Sequence, residues 1–284
     1  MVTATDGRTS ISKSARVVAL IPAREGSKGI PNKNVARVGK HPLLAYSIAT
    51  ALKCPLIDDV IVSTDSDSIA AVAKQYGAAV PFLRPKEIST DTSLDSEFVA
   101  HYLEHLKERA ELFPGLIVHL RPTTPFRPLK AVSDAIRFML DHPSATALRS
   151  MQRTHLTPYK MFANRDGFAE AFLSLKDVSE SYNLPRQRFE DAFIPNGLVD
   201  VLRPEVLLET GLLHGDRMRL WETPSIVDID DMEELERARS LVSIALTESH
   251  DVTGVYGEIV ELVSALDQID HLGRSRGRPP ETSL

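Results

Sequence analysis

The stretch that decides the fold of this chain is LIPAREGSKGIPNKN, residues 20–34. It overlaps an apolar run over residues 17–21 that is short and rich in β-branched side chains, as a buried parallel strand is, and Pro22 ends that run. In an open parallel sheet, ligands bind beyond the carboxyl ends of the strands. The sequence therefore predicts an α/β fold with a candidate ligand loop directly after its first strand.

This loop is basic and contains glycine. Gly26 and Gly29 allow the backbone to approach a ligand closely, while Arg24, Lys28 and Lys33 supply positive charges. Residues 24–40 contain five Lys or Arg and one acid, a net charge of +4, although the whole chain carries −6. A basic patch on an acidic chain favours a small polyanion such as a triphosphate over nucleic acid, which needs an extended basic face.

The loop matches neither of two common phosphate-binding fingerprints. It is not G-x-x-x-x-G-K-[ST], the P-loop of many ATPases, nor G-x-G-x-x-G, the dinucleotide-binding turn. A nicotinamide dehydrogenase is therefore disfavoured. The alternative that the basic side chains only keep a surface loop solvated stays open, because most runs of charge are solvated faces.

Composition indicates one large domain. The chain has 284 residues, of which 43% are hydrophobic and 25% are charged, enough for a full core. Its only cysteine, Cys54, excludes a disulfide framework and favours a cytoplasmic protein. The sequence contains no apolar run of roughly 18 residues, so we expect no membrane partner.

Short β-rich runs alternate with stretches of helical period, the pattern of a mostly parallel sheet. We predict strands over 17–21, 60–63, 116–120, 145–150 and 226–229. We predict helices over 43–53, 66–76, 93–109, 129–140, 232–246 and 255–269. The domain boundaries that follow are a disordered leader (1–15), the main domain (16–248) with an irregular segment over about 150–200, a C-terminal helix (249–272) and a disordered tail (273–284).

Three other loops that follow predicted strands carry polar side chains. Residues 63–67 either contribute to the site or cap the next helix. Residues 121–128 contain three prolines, two threonines and two arginines, which gives either a stiff loop that holds donors in place or a rigid connector. Asp228 and Asp230 fall on the same side of a predicted strand end and suit a Mg²⁺ ion opposite a triphosphate, although Asp230 or Asp231 could instead cap the following helix.

Nine short motifs occur in a fixed order along residues 16–245. They are Ile21-Pro22-Ala23-Arg24, Lys28-Gly29-Ile30-Pro31, Lys33-Asn34, Val62-Ser63-Thr64-Asp65, Leu83-Arg84-Pro85, Asp91-Thr92, Pro122-Thr123-Thr124-Pro125, Pro195-Asn196-Gly197 and Asp228-Ile229-Asp230. In this order they resemble the acylneuraminate cytidylyltransferase family, the CMP-sialic acid synthetases. The resemblance implies a Rossmann-like nucleotidyltransferase fold that forms a homodimer through the irregular segment.

It also implies a reaction in which CTP and a nonulosonic acid, a small anionic sugar acid, give a CMP-sugar and pyrophosphate with Mg²⁺ as cofactor. The residues that match the family's nucleotide contacts are Arg24, Gly26, Ser27, Lys28, Lys33, Asn34, Arg84, Asp91 and Thr92. Those on the acceptor side are Arg121, Thr123, Lys160, Arg186, Asn196 and Asp200. The resemblance assigns catalysis to Arg24, Lys28, Asp228 and Asp230, with the last two as metal ligands.

Two positions depart from the pattern of the resembled family. Arg121 stands where its sialic acid enzymes usually have Gln, and Asp200 stands where they usually have Tyr. Both positions belong to the half of the site that holds the sugar, so the identity of the acceptor stays open. The alternatives are a related nucleotidyltransferase with another acceptor or another nucleoside triphosphate, and a nucleotide-binding protein without catalytic activity.

Overall fold

The computed structural model describes residues 15–247 and 255–276. Its helices are α1 (Leu43–Lys53), α2 (Asp67–Gln75), α3 (Asp95–Glu108), α4 (Leu129–Asp141), α5 (Pro204–Thr210), α6 (Met232–Thr247) and α7 (Val255–Arg276). Its strands are β1 (Val17–Pro22), β2 (Arg37–Val38), β3 (His41–Pro42), β4 (Asp59–Ser63), β5 (Leu116–His119), β6 (Ala147–Thr154), β7 (Phe162–Arg165), β8 (Phe168–Ala171), β9 (Ala192–Leu202) and β10 (Met218–Glu222).

The central sheet is mostly parallel, as the sequence predicted. Within the described residues it has six strands in the order β10-β6-β9-β5-β1-β4. Strand β1 pairs in parallel with β4 and β5, and β10 pairs in parallel with β6. Strand β9 alone runs antiparallel, between β5 and β6. The carboxyl ends of β1, β4 and β5 therefore meet at one edge of the sheet, where the ligand loops lie.

Both faces of the sheet are covered by helices, which explains the continuous apolar strands. Successive side chains of a strand point to opposite faces. In β1, Val17, Ala19 and Ile21 join a large core cluster with α1, α2, α4, α6 and α7. Val18 and Leu20 join a smaller cluster with α3 on the other face. This two-sided burial fixes β1 and thereby the position of the basic loop that follows it.

The strand that the sequence predicted over 226–229 is not formed. These residues are extended, but their recorded backbone contact is a single hydrogen bond in which Ile229 N donates to the Thr123 carbonyl, 2.8 Å away. Strand β10 lies at the edge of the sheet instead, beside β6. A four-residue apolar run was too little to distinguish a strand from an extended segment packed beside a loop.

The segment predicted to be irregular, residues 150–200, holds the hairpin β7–β8, several single-turn helices and most of β9. The sequence predicts short strands in this segment without bounds, and an apolar strand opened by residues 194–197, which lie within β9. It did not predict the bounds of the hairpin β7–β8, the full length of β9, or β10 and α5. The 11 residues of β9 include a proline and a glycine, Pro195 and Gly197, which weaken the strand signal. The strand forms because β5 and β6 pair with it on both sides.

The last helix extends farther than predicted. Helix α7 continues to Arg276, seven residues beyond the predicted helix 255–269, so residues 273–276 are helical where the sequence predicted a disordered tail. It buries Ile259, Leu262 and Leu266 in the large core cluster, and Asp267 contacts the buried His41 at 3.0 Å. The predicted leader lies outside the described residues except for residue 15, as do residues 248–254 and 277–284. No helix within the described ranges is long and apolar enough to cross a membrane.

Candidate active site

A cleft of about 530 Å³ opens at the carboxyl ends of β1 and β5. It brings together ten of the residues that the sequence proposed for the site. They are Arg24, Ser27, Lys28, Lys33, Asn34, Arg84, Asp91, Arg121, Thr123 and Asp230. These residues are up to 206 positions apart in the chain, and the sheet topology alone makes them neighbours.

The basic loop faces a carboxylate across the cleft. Asp91 accepts a hydrogen bond from Arg24 at 2.5 Å and pairs with Lys28 Nζ at 2.8 Å. Hydrogen bonds from Lys28 and Arg24 lower the pKa of Asp91. The side chain of Lys28 is 82% exposed. Both cations can exchange Asp91 for a phosphate oxygen at little cost, because pairs near the surface contribute little to stability.

Lys33 connects the basic loop to the aspartate segment. Its Nζ donates to the Ile229 carbonyl at 3.0 Å and to Asp230 Oδ1 at 2.9 Å, and only 13% of its side chain is exposed. The backbone of Gly29 also lies against this segment. Cations near the first strand and Asp230 thus converge on one cleft.

Gly29 is required for this close approach. A Cβ on Gly29 would lie 2.2 Å from the Asp230 carbonyl oxygen, well inside van der Waals contact. We expect Gly29→Ala to push the two segments apart and to lower the free energy of unfolding by about 1–3 kcal/mol. Urea denaturation measures this change. The matched control is Gly26→Ala, where the new Cβ would meet only Arg24 Nη1 at 3.7 Å; equal effects of the two substitutions would contradict the argument.

Asp228 and Asp230 do not lie side by side on a strand end, so that part of the sequence argument was wrong. Asp230 enters the cleft beside Lys33, whereas Asp228 lines an adjoining cavity and shares a hydrogen bond with Thr123. The helix cap belongs to the next residue: Asp231 Oδ1 accepts from Glu234 N at 2.9 Å. The carboxylate of Asp230 is therefore not used as a cap.

The two aspartates fit a Mg²⁺ ion. Burial raises the pKa of Asp228, and the negative charge of Asp230 raises it further. Asp228 Oδ1 is buried and has no hydrogen-bond partner within the described part of the chain. A cation would satisfy this oxygen and relieve the repulsion. No cluster of three or more Asp, Glu, His or Cys in the described ranges could hold a metal, so further ligands must be water or substrate oxygens, as Mg²⁺ commonly has.

Arg84 and Asn34 line another part of the cleft. Arg84 is buried, and its Nε and Nη2 have no hydrogen-bond partner among the described residues. Burial lowers its pKa, and its guanidinium lies 5.9 Å from the ring centre of Phe98. Asn34 Nδ2 donates to the Arg24 carbonyl at 2.8 Å. Arg84 therefore offers donors to a ligand, whereas Asn34 also shapes the basic loop.

The loop over residues 63–67 supports the site without lining it. Asp65 Oδ1 accepts from Glu25 N at 3.0 Å, and Ser66 Oγ donates to Glu25 Oε1 at 3.2 Å. Ser66 occupies the cap position of α2 but makes no side-chain cap hydrogen bond. Residues 63–67 therefore hold Glu25, at the start of the basic loop, in place.

The proline-rich loop over residues 121–128 is held in place by hydrogen bonds of a buried arginine, Arg127. Arg127 is buried beneath it and donates from Nε to the Leu198 carbonyl at 2.6 Å and from Nη1 to Ser47 Oγ at 2.9 Å. Burial lowers the pKa of Arg127 to about 9. The loop presents Arg121 and Thr123 to the cleft. The alternative of a connector in which a threonine caps the next helix is wrong, because the cap position of α4 is Pro128 and makes no side-chain hydrogen bond.

Several predicted site residues do not line the cleft. Gly26 lies in the basic loop and Thr92 beside Asp91, but neither contributes to its wall. Asn196 is buried and donates from Nδ2 to Thr223 Oγ1 at 2.8 Å. Lys160 lies over the ring of Phe189, and Arg186 lines a separate surface pocket near it.

Asp200 is fully buried and makes contact with the cleft only through Arg121, whose Nη1 lies 3.0 Å away. It is therefore not a direct ligand contact in this chain. The second partner of Arg121 is Asp95, at 2.7 Å from Nη2, which the sequence motifs did not indicate. Asp95 lines the cleft together with Phe98. Asp95 lies in the first turn of α3, where an acidic residue is common because it interacts favourably with the helix dipole. Nothing in the sequence therefore marked Asp95 as a site residue.

Sequence comparisons agree with this geometry. Residues 18–207 match the family described as Cytidylyltransferase. The chain is 32% identical over 226 residues to N-acylneuraminate cytidylyltransferase of Escherichia coli O18:K1:H7, covering 78% of this chain and 51% of the relative. It is 40% identical over 121 residues to CMP-N,N'-diacetyllegionaminic acid synthase of Legionella pneumophila, covering 43% and 52%. These matches span about half the length of each of these two relatives.

A third relative is matched over nearly its whole length. Pseudaminic acid cytidylyltransferase of Campylobacter jejuni strain 81-176 is 27% identical over 229 residues, covering 80% of this chain and 96% of the relative. A solved CMP:2-keto-3-deoxy-manno-octonic acid synthetase complexed with CTP has the same fold, with a TM-score of 0.60, 17% identity and coverage of 80% and 98%. Motifs, sheet order and family match agree, and the chain belongs to the cytidylyltransferase family.

Proposed function

We propose that this protein is a cytidylyltransferase that joins CTP to a nonulosonic acid and releases pyrophosphate. The observation that carries the proposal is the meeting of Lys28 and Lys33 with Asp230 in one cleft. The lysines would neutralise the negative charges of a triphosphate, and the aspartates would coordinate a bound metal ion. The relatives named for N-acylneuraminate, diacetyllegionaminic acid and pseudaminic acid support a sugar acid as acceptor.

In the proposed reaction, an acceptor hydroxyl oxygen forms a bond to the α-phosphorus of CTP, and the bond from that phosphorus to the bridging oxygen of pyrophosphate breaks. The hydroxyl proton leaves to solvent or a nearby base. Arg24 and Lys28 exchange Asp91 for phosphate oxygens and stabilise the charge that collects on pyrophosphate. Asp228 and Asp230 would hold a Mg²⁺ ion, which when bound supplies positive charge beside the reacting phosphate and acidifies the hydroxyl.

The base end of CTP is assigned to Arg84. A buried guanidinium with two unpartnered nitrogens is costly unless a ligand accepts its hydrogen bonds. The carbonyl oxygen and ring nitrogen of cytosine are suitable acceptors. This assignment gives the cleft a cytosine contact at Arg84, a triphosphate contact at the basic loop and an acceptor contact at Arg121 and Thr123.

A pyrophosphate-release assay tests the function. Purified protein is given each of four nucleoside triphosphates with Mg²⁺ and each of N-acetylneuraminate, N,N'-diacetyllegionaminic acid, pseudaminic acid and 2-keto-3-deoxy-manno-octonic acid. We expect release with CTP and at least one acid, and none without an acid. Binding of CTP without release under every acid would favour the catalytically silent alternative, and release with another triphosphate would overturn the assignment of cytosine.

We also propose a cytoplasmic homodimer formed through the segment 150–200. This segment exposes large apolar side chains, including Phe162, Phe168 and Phe172, and such clusters on a surface mark interaction sites. Lys160 and Arg186 belong to the same segment and lie outside the cleft of their own chain. Their role on the acceptor side would therefore be at the cleft of the second copy. Sedimentation analysis tests the dimer, and Phe168→Ser together with Phe172→Ser should yield monomers.

A further inference from the structure

Beside the nucleotide-binding part of the cleft lies a cluster of charged side chains, of which the proposed reaction uses only Arg121. Its centre is the pair of contacts that Arg121 makes with Asp200 at 3.0 Å and with Asp95 at 2.7 Å. Three more side chains approach Asp200: Arg149 at 3.7 Å, His214 at 3.7 Å and the fully buried His119 at 3.9 Å.

Both carboxylates of this cluster are ionised. Burial opposes the ionisation of Asp200, but His214, Arg121, His119 and Arg149 together hold its pKa well below the usual range. Burial also opposes the ionisation of Asp95, yet His119 and Arg121 lower its pKa. Burial and the charge of Arg121 lower the pKa of His119 itself to about 3, so His119 adds positive charge to the cluster only below that pH, and near pH 7 the arginines balance the carboxylates.

The positive charge of Arg121 is therefore already balanced by carboxylates of the chain itself. One guanidinium serves two ionised carboxylates, so the three groups together carry one net negative charge. Arg149 lies 3.7 Å from Asp200 and compensates it. Arg121 and Asp95 are the members that line the cleft, and the contacts of Asp95 with the cluster use only Oδ2. The cleft is thus cationic at the basic loop, whereas at this end the two arginines only balance Asp95 and Asp200 and leave no positive charge free for a further anion.

We propose that Arg121 and Asp95 select the acceptor, admitting a sugar acid that presents hydroxyl or amide N–H groups to them and rejecting one that carries a further phosphate or carboxylate there. The inference rests on the proposed function and gives the class of its acceptor. Asp95 accepts hydrogen bonds and repels a second anion. Asp200 acts as a positioning residue: being buried, it touches no ligand but fixes the guanidinium of Arg121 from below.

The decisive variant is Asp95→Asn, which keeps the shape of the side chain and removes its charge. The probe is the 9-phosphate of N-acetylneuraminate, used as an inhibitor against whichever acid of the panel the wild-type protein uses best. We expect the substitution to lower the inhibition constant of the phosphate about tenfold and to raise the KM for the acceptor about tenfold, with the KM for CTP within twofold of wild type. Glu104→Gln, an exposed acid on the same helix α3, should change none of these constants.

The positioning role of Asp200 has its own test. Asp200→Asn should raise the KM for the acceptor about tenfold and leave the KM for CTP unchanged, a split that a general loss of stability would not produce. If this variant does not fold, the double variant Arg121→Gln with Asp200→Asn removes both charges at once. It should fold as wild type does and still bind the acceptor more weakly, because the fixed donors are gone.

The outcomes separate the two proposals. If wild-type protein releases no pyrophosphate with any acid, the proposed function fails and this inference fails with it. If wild-type protein is active but Asp95→Asn leaves the inhibition constant of the phosphate unchanged, only the inference is overturned. A shift in the KM for CTP in place of the KM for the acceptor would also overturn it, since Asp95 would then belong to the nucleotide-binding part of the cleft.

Discussion

Protein carrying Asp230→Ala is expected to fold normally and to lose about 100- to 1000-fold in kcat. The side chain of Asp230 is 73% exposed, and the mostly buried Lys33 keeps its hydrogen bond to the Ile229 carbonyl when Asp230 is removed, so the substitution costs little stability. The proposed reaction, in contrast, needs two carboxylates to hold one cation. Without Asp230, Asp228 alone would have to hold the ion against competition from water.

Pyrophosphate release at saturating CTP, acceptor and Mg²⁺ measures this loss, and thermal unfolding checks the fold. The matched control is Asp231→Asn, the adjacent exposed acid, whose amide oxygen can still accept the hydrogen bond from Glu234 N that caps α6. We expect the control to keep wild-type turnover. If Asp230→Ala also keeps near-normal turnover at saturating Mg²⁺, the metal assignment is wrong.

The second large effect is expected at Lys28. Its side chain is 82% exposed, and the ion pair that it makes is with Asp91. We expect Lys28→Ala to lower kcat/KM for CTP by about 100-fold, because the variant loses a positioned charge beside the departing pyrophosphate. The melting temperature should stay within about 1 °C of wild type, since an exposed pair contributes little to stability.

Lys40→Ala provides the comparison for this variant. Lys40 belongs to the same basic stretch and is exposed, but it does not line the cleft. If positive charge in the stretch acted only through the general field around the protein, the two substitutions would have similar effects, and both would disappear at high salt. A loss confined to Lys28→Ala supports direct contact with phosphate, whereas equal losses would contradict it.

The structure also changes how Arg121 and Asp200 are understood. From the sequence they were two separate departures from the family pattern, each of which put the acceptor in doubt. In the structure they are partners 3.0 Å apart, and Asp95 completes the set. The two departures therefore form one ion pair, and removing Arg121, the nearest of the cations around the buried Asp200, would be destabilising.

The sequence by itself determined the mostly parallel α/β fold, the helices that flank the sheet and the basic loop after β1, because these depend on local periodicity and on residues that lie close together in the chain. It also placed most of the cleft residues through ordered motifs. Only the tertiary structure decided the length and antiparallel pairing of β9, that 226–229 is not a strand, and which charges pair. Those outcomes depend on contacts between residues far apart in the chain, such as Lys33 with Asp230 and Arg121 with Asp200, whose energies no local pattern contains.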